Sequence, residues 1–240
     1  MSLSIIIPCK NEEKIIKQTI ERVFEEIKNI KIELIIIDDF STDNTYQIVE
    51  SIKKNSQEIR LIKNINNGGL GEAIKLGIKN SSEKYLCFYM ADMSDSVDDI
   101  KRYYDTISKY DLDSIMGSRF INGSKINDYP KKKLILNRLF NKLTQFLFWS
   151  DYNDFTNAFK MYRRESLLKL SPIVSENFNV FLEIPLKLIY RGYSYKIIPI
   201  SWQNRKVGNA KFRIKELGSK YFFTLFYCFL EKILLKKKKY

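Results

Sequence analysis

The sequence contains no histidine. That absence removes every mechanism built on a histidine base, nucleophile or metal ligand. Cysteine is scarce: Cys9, Cys87 and Cys228 lie far apart and without metal-ligand spacing. They are expected to be reduced thiols in a cytosolic protein rather than a disulfide framework. Long apolar runs are missing too. The first, Leu3 to Pro8, is too short for a signal peptide and has no basic lead-in. The best later candidate, Tyr221 to Leu230, reaches about half of the roughly 20 apolar residues that a spanning helix needs before Glu231 and Lys232 interrupt it. The expectation is a protein that does not span a membrane but can lie on one. Acidic residues are in deficit, with 28 Asp+Glu against 41 Lys+Arg for a net charge of +13. Residues 201–240 hold eleven basic and two acidic side chains, so nine of those thirteen charges sit in the last sixth of the chain.

What is present reads as globular. Hydrophobic residues make up 45% and charged ones 29% of 240 residues, which excludes disorder and suits one sizeable domain. Short apolar cores at Leu3–Ile7, Glu33–Ile37, Arg60–Ile62, Tyr85–Tyr89 and Ser114–Met116 have strand length. Between them run helical patterns, such as Ile15, Ile16, Thr19, Ile20, Val23, Phe24 and Ile27 within Glu12–Ile27. Further helices are expected over Asn44–Ile52, Glu72–Ile78 and Val97–Tyr110. This alternation predicts an α/β fold, a parallel sheet with helices on both faces. Later, an amphipathic stretch opens at Lys131–Lys133 and carries Leu134, Ile135, Leu139, Phe140, Leu143, Phe146 and Leu147. A polar-led segment covers Asp151–Tyr162. Helical patterns follow at Glu165–Leu170 and Phe178–Ile189, then a strand at Tyr195–Trp202 and a helix-like run at Phe212–Leu235.

Polar residues collect where the early strands end. The clusters are Pro8-Cys9-Lys10-Asn11-Glu12, Asp38-Asp39-Phe40-Ser41-Thr42-Asp43, Asn66-Asn67-Gly68-Gly69-Leu70-Gly71 and Ala91-Asp92-Met93-Ser94-Asp95. Four such clusters at consecutive strand ends point to one shared ligand site, because ligands of such sheets sit beyond the carboxyl ends of the strands. The glycine run is neither a Walker loop nor a dinucleotide fingerprint, and by itself it reads equally as a tight turn. Asp38, Asp39 and Asp43 suit a hydroxyl-rich or base-bearing ligand as hydrogen-bond acceptors. Asp92, with Ser94 and Asp95, offers the oxygen ligands that hard divalent cations select. Asp98 and Asp99 read as a solvated, acidic first helical turn.

Taken in order, Pro8-x-x-Asn11-Glu12, Asp38-Asp39-x-Ser41-x-Asp43-x-Thr45, Asn67-x-Gly69 and Ala91-Asp92 resemble the nucleotide-sugar half of family 2 glycosyltransferases. Gly117-Ser118-Arg119-Phe120, Asp154-Phe155-Thr156-Asn157-Ala158-Phe159 and Arg205-x-x-Gly208-x-x-Lys211 resemble its polyprenyl-phosphate subgroup, which includes dolichol-phosphate mannosyltransferase. The resemblance spans roughly residues 2–215 and implies a GT-A, Rossmann-like, mostly parallel sheet with C-terminal amphipathic helices. It places Pro8, Asn11, Glu12, Asp39, Asn67, Gly69, Asp92 and Arg119 around a nucleotide sugar. Arg138, Arg205 and Lys211 fall on the acceptor phosphate, and Asp92, Arg205 and Lys211 on catalysis. Asp92 matches the second aspartate of the family's metal motif, while the first falls on Met90, whose thioether is a poor ligand for Mg2+ or Mn2+. The metal then either has fewer protein ligands or is helped by Asp95.

The activity expected is inverting transfer of a sugar from a UDP- or GDP-sugar donor to a polyprenyl phosphate, on the cytosolic face of a membrane. A phosphate acceptor needs no histidine base, since its second pKa is about 6. The alternative is a family 2 enzyme acting on a glycan hydroxyl, for which Glu183 is the nominated base. Residues 1–212 are expected to form the transferase domain and 213–240 a membrane-surface or interface helix ending in Lys236–Lys239. Nucleic acid is not the expected partner, because lysines and aromatics are not interleaved. A homo-oligomer stays open.

Overall fold

The computed structural model describes residues 2–65, 67–205 and 214–235, with side chains left undescribed at 214–217. Lys211, the block Lys236–Lys239 and the 212/213 boundary lie outside the described residues.

Strands β1 (Ser2–Cys9), β2 (Lys31–Asp38), β3 (Ile59–Lys63) and β4 (Tyr85–Phe88) carry the near-continuous apolar runs. Ile5, Ile6, Ile7, Leu34, Ile35, Ile36 and Ile37 have no exposed surface, as strands covered on both faces require. β5 (Ser114–Ser118), β7 (Lys160–Arg163) and β8 (Tyr195–Pro199) complete a sheet that, among the described residues, has the order β3-β2-β1-β4-β7-β5-β8. Every pairing is parallel except those of β7, which runs antiparallel to both β4 and β5. The sheet is therefore mostly parallel, as expected. A second ribbon pairs β6 (Lys125–Asn127) with β9 (Ser201–Gln203).

Helices cover both faces. One core packs α1 (Ile16–Glu26), α2 (Thr45–Lys53) and α4 (Asp98–Tyr110) on the sheet through residues such as Ile20, Val49 and Tyr103. The other gathers α3 (Leu70–Asn80), α6 (Arg164–Leu168), α7 (Val180–Tyr190) and the inner faces of α5 (Lys131–Phe148) and α8 (Ile214–Leu234). The strand order reverses at β1/β4, which is the switch point where a crevice opens in such sheets.

Two expectations need correction. The strand expected over Tyr195–Trp202 is two strands, β8 and β9, in different sheets. Asp99 is not solvated: it is buried, pairs with Arg102 and accepts the Ser201 amide at 3.0 Å, which ties α4 to β9. The α8 segment is apolar on both its sides but buried on only one. Tyr221, Thr224, Leu225 and Cys228 are buried, while Phe222, Phe223, Phe226, Leu230, Ile233 and Leu234 are exposed.

Candidate active site

The β1 and β2 ends are knitted together by short polar side chains. The Asn11 amide donates to Ser41 Oγ at 3.0 Å, and the Thr42 amide donates to Asn11 Oδ1 at 2.7 Å. The Glu12 amide donates to Thr45 Oγ1 at 2.8 Å, while Asp43 Oδ1 accepts from the Thr45 amide at 3.0 Å. Asp39 braces the next loop: both its oxygens accept from the Gly69 amide at 3.1 Å, and Oδ1 also accepts from Asn64 Nδ2 at 2.9 Å. Gly69 has φ +142°, and a β-carbon there would lie 2.4 Å from the Glu176 carbonyl oxygen. The glycine run is thus a turn that lets the start of α3 meet the loop before α7. Asn11, Phe40 and Met93, one after each of β1, β2 and β4, all have positive φ. Strained backbone concentrated at strand ends is a mark of functional loops.

A cavity of about 510 Å³ opens beside these ends. Its charged end is lined by Glu12, Asp92, Asp95, Arg119, Lys133 and Arg205, next to Pro8 and Met90. Arg205 is held by Glu12, Nη2 to Oε2 at 2.8 Å, and its Nη1 lies 3.9 Å from Asp92 Oδ2. Arg119 is gripped by Asp154 and faced by the rings of Phe120, Tyr129 and Trp202 at 5.4, 5.4 and 5.6 Å. Burial opposes its charge, but Asp154 more than offsets this and holds the guanidinium firmly protonated. Lys133, in the first turn of α5, has its pKa lowered by burial and by Arg119, against the pull of Asp92. The other end is an apolar arm of Leu136, Leu139, Phe140, Leu143, Phe181 and Phe222, between α5, α7 and α8.

The residues fit a divalent cation at one place. Asp92 Oδ1 accepts the Ser94 amide at 3.1 Å, and Asp95 Oδ1 is buried with no hydrogen-bond partner among the described residues. Burial, with Asp92 and Asp154 adding and Arg119 opposing, pushes Asp95 up to about 8. A cation would relieve that potential. Among the described residues no group of three or more acidic or cysteine side chains is arranged as a complete metal site. Remaining ligands would come from phosphate oxygens and water, as hard cations commonly accept.

The structure therefore brings Pro8, Glu12, Asp92, Asp95, Arg119 and Arg205 into one cavity. Asn11, Asp39, Asn67 and Gly69 form the adjoining loops at the β1–β3 ends rather than the cavity wall. Arg138 does not line the cavity; its guanidinium stacks on Phe120 at 4.3 Å and donates to the Asn153 carbonyl at 3.2 Å. Glu183 is overturned as a base. It is fully buried, accepts the Val174 and Ser175 amides at 3.0 and 2.8 Å, and pairs with Lys187 at 2.8 Å. Lys133 and Trp202 are cavity residues that sequence reasoning missed, the first because it sits in a lysine triplet that reads as surface charge.

The family model described as "Glycosyl transferase family 2" matches residues 4–171, the segment that holds nearly all of β1–β7 and every residue of the cavity's charged end except Arg205. The chain belongs to glycosyl transferase family 2. This glycosyltransferase is 25% identical over 213 residues to the polyprenol monophosphomannose synthase of Mycolicibacterium smegmatis, covering 86% of this chain and 79% of that one. It is 30% identical over 224 residues to the dolichyl-phosphate beta-glucosyltransferase of Saccharomyces cerevisiae, covering 83% of this chain and 66% of the relative. With the dolichol-phosphate mannosyltransferase of Pyrococcus furiosus it shares 24% identity over 222 residues, 90% of this chain and 61% of the relative. The chain thus spans less than two thirds of the length of the last two.

Among solved structures, the fold matches glucosyl-3-phosphoglycerate synthase of Mycobacterium tuberculosis in complex with Mn2+, UDP-glucose and phosphoglyceric acid. The TM-score is 0.71 at 15% identity, covering 95% of this chain and 79% of that one. It also matches S. aureus TarS 1-349 in complex with UDP-GlcNAc, with TM-score 0.65 at 19% identity over 99% of this chain and 68% of that one. These likenesses place the glycosyltransferase in the GT-A fold.

Proposed function

We propose that this glycosyltransferase moves a sugar, with inversion, from a nucleoside diphosphate sugar to a polyprenyl phosphate at a membrane surface. One observation carries the reading: a single cavity joins a charged end, where Arg205, Arg119 and Lys133 meet Asp92, to an apolar arm between α5 and α8. An acceptor with a phosphate head and a hydrocarbon tail has that same polarity. The names of the three relatives, a polyprenol monophosphomannose synthase, a dolichyl-phosphate beta-glucosyltransferase and a dolichol-phosphate mannosyltransferase, support it.

The chemistry follows from the residues. An oxygen of the lipid phosphate forms the bond to the anomeric carbon as the bond to the donor diphosphate oxygen breaks, and the nucleoside diphosphate leaves with the electron pair. The nucleophile is largely dianionic at neutral pH, so no side chain has to take its proton. Donor and acceptor repel each other, and the guanidiniums of Arg205 and Arg119 with the Lys133 ammonium offset that repulsion while fixing the in-line approach. Lys211 is assigned to the same task from the motif alone. Asp92 and Asp95 would hold Mg2+ or Mn2+, which supplies further charge to the departing diphosphate. With Glu183 buried outside the cavity, the alternative acceptor, a glycan hydroxyl, has lost its nominated base.

The outer faces of α5 and α8 support a peripheral membrane site, which we assign to the cytosolic leaflet. Ile135 and Phe146 on α5, Trp149 just after it, and Phe223, Phe226 and Leu234 on α8 are exposed, and lysines flank them in the sequence. Apolar insertion and basic residues together are what stable surface anchoring takes. Among the described residues no helix is long and apolar enough to cross a membrane. In this reading residues 1–212 are the transferase domain and 213–240 the surface helix.

The test is a panel of UDP- and GDP-sugars offered with polyprenyl phosphate, read by product mass. A lipid-linked monophosphate sugar is expected. Transfer only to glycan hydroxyls, with none to the lipid, would overturn the proposal.

A further inference from the structure

Phe40 directly follows the Asp38-Asp39 pair at the end of β2, and its backbone is left-handed at φ +57°. A glycine adopts that conformation without strain, whereas a bulky side chain does not. Packing does not account for the ring. It is 44% exposed and belongs to neither core. The ring lies close beside Gly68, where a β-carbon would come within 3.3 Å of Cδ2 and 3.6 Å of Cε2. The neighbours on either side are fixed: Asp39 holds the Gly69 amide, and Ser41 Oγ accepts from the Asn11 amide. A strained, rigidly flanked aromatic ring is thus presented to solvent between the β1 and β3 loops.

Its place in the sheet gives that ring a use. The charged end of the cavity lies at the β4 and β1 ends, with Asp92 after one and Glu12 after the other. β2 is the next strand beyond β1, so the β2 end lies two strand spacings, roughly 10 Å, from the β4 end. In the other direction the cavity runs into its apolar arm. A nucleoside attached to a diphosphate at Asp92 and Arg205 therefore extends over β1 towards β2 and β3.

We propose that Phe40 is the platform on which the base of the nucleotide donor stacks, an inference that rests on the donor reading above. Every base has a π-face, so such a platform sets the plane of the base and strengthens binding without choosing between bases.

Isothermal titration of the full chain with UDP, GDP and inorganic pyrophosphate tests it, using wild type, F40G, F40L and F40W. Phe40→Gly suits the left-handed backbone, so the fold is retained, and thermal melting verifies this. F40G and F40L are expected to weaken UDP and GDP roughly 5- to 150-fold while leaving pyrophosphate unchanged, and F40W to keep wild-type affinity. Wild type that binds both nucleotides while F40G binds them equally well overturns the platform and leaves the donor reading standing. A parallel loss of pyrophosphate binding in F40G also overturns it, since the ring would then be acting on the whole site. Wild type that binds neither nucleotide overturns the donor reading itself.

Discussion

Asp154 grips Arg119 at three points: Oδ2 accepts from the backbone amide at 2.9 Å and from Nε at 2.8 Å, and Oδ1 accepts from Nη2 at 2.7 Å. Both side chains are almost wholly buried. Asp154 thereby fixes which edge of the guanidinium faces the cavity. Asp154→Ala leaves a buried charge unpaired, and the expected loss is about 3–5 kcal/mol of stability in urea unfolding. Arg119→Lys keeps a charge but loses the fork, so transfer should fall although charge is conserved. Wild-type stability in Asp154→Ala would show that the pair is not structural.

Glu183 is expected to matter for folding and not for chemistry. Its carboxylate holds the Val174 and Ser175 amides and the Lys187 ammonium inside the protein. Glu183→Ala should cost several kcal/mol, in the range of about 3–5 for a broken buried pair. In the milder Glu183→Gln, the fraction that stays folded should keep its turnover. A folded Glu183→Gln protein with normal donor binding and no transfer would instead restore it as a base.

Asp92→Asn should abolish Mn2+ binding, measured by titration, and transfer with it. Met90→Asp adds a third carboxylate beside Asp92 and Asp95 and should tighten Mn2+. Full activity in excess chelator would remove the cation from the reaction.

Lys160 gives a pH signature. Burial lowers its pKa to about 7, with Asp154 and Asp95 pulling it up and Arg119 pushing it down. Its Nζ donates to the Phe155 carbonyl at 3.1 Å and to the Asn157 carbonyl. Between that value and the unfolded one of 10.5 the unfolded chain binds more protons, so this residue makes stability rise with pH. Wild type should gain on Lys160→Met between pH 7 and 8.5, with a slope approaching about 1.4 kcal/mol per pH unit. A difference that is flat or shrinks over that window contradicts the assignment.

Replacing exposed Phe223, Phe226 and Leu234 by serine should abolish binding to anionic liposomes in a flotation assay. Surface substitutions of this kind usually change stability by no more than about 0.5 kcal/mol each. Wild-type binding should weaken as salt rises. Unaltered flotation of the triple variant would show that the membrane contact lies elsewhere.

The parallel strands and the strand-end clusters were legible because buried isoleucine runs and polar loop residues differ sharply in sequence. β7 was not, since Lys160-Met161-Tyr162-Arg163 offers four residues with a charge at each end, and the first is nonetheless fully buried. Asp99 was misread because a carboxylate in the first turn of a helix looks solvated until its partner arrives from a distant part of the chain, here the Ser201 amide. Glu183 could be named as a base only because the sequence does not show that its helix is buried and that the nearby Val174 and Ser175 amides close on it. Lys133 was hidden by its neighbours: three adjacent lysines cannot be told apart until the helix start aims one of them inward.

The two tight glycine contacts at the start of α3 act as a spacer between the halves of the enzyme. A β-carbon on Gly69 would meet the Glu176 carbonyl oxygen, and one on Gly71 the Ser175 carbonyl oxygen, each at 2.4 Å. That loop is clamped to α7 by Glu183, and α7 is tied to α8 where Asn179 Nδ2 donates to Thr224 Oγ1 at 2.9 Å. On the opposite side Asp39 fastens the Gly69 amide to the β2 end. The gap between the β2-end loop and the α7–α8 pair is thus gauged by two missing methyl groups, and a single alanine at either position would widen it.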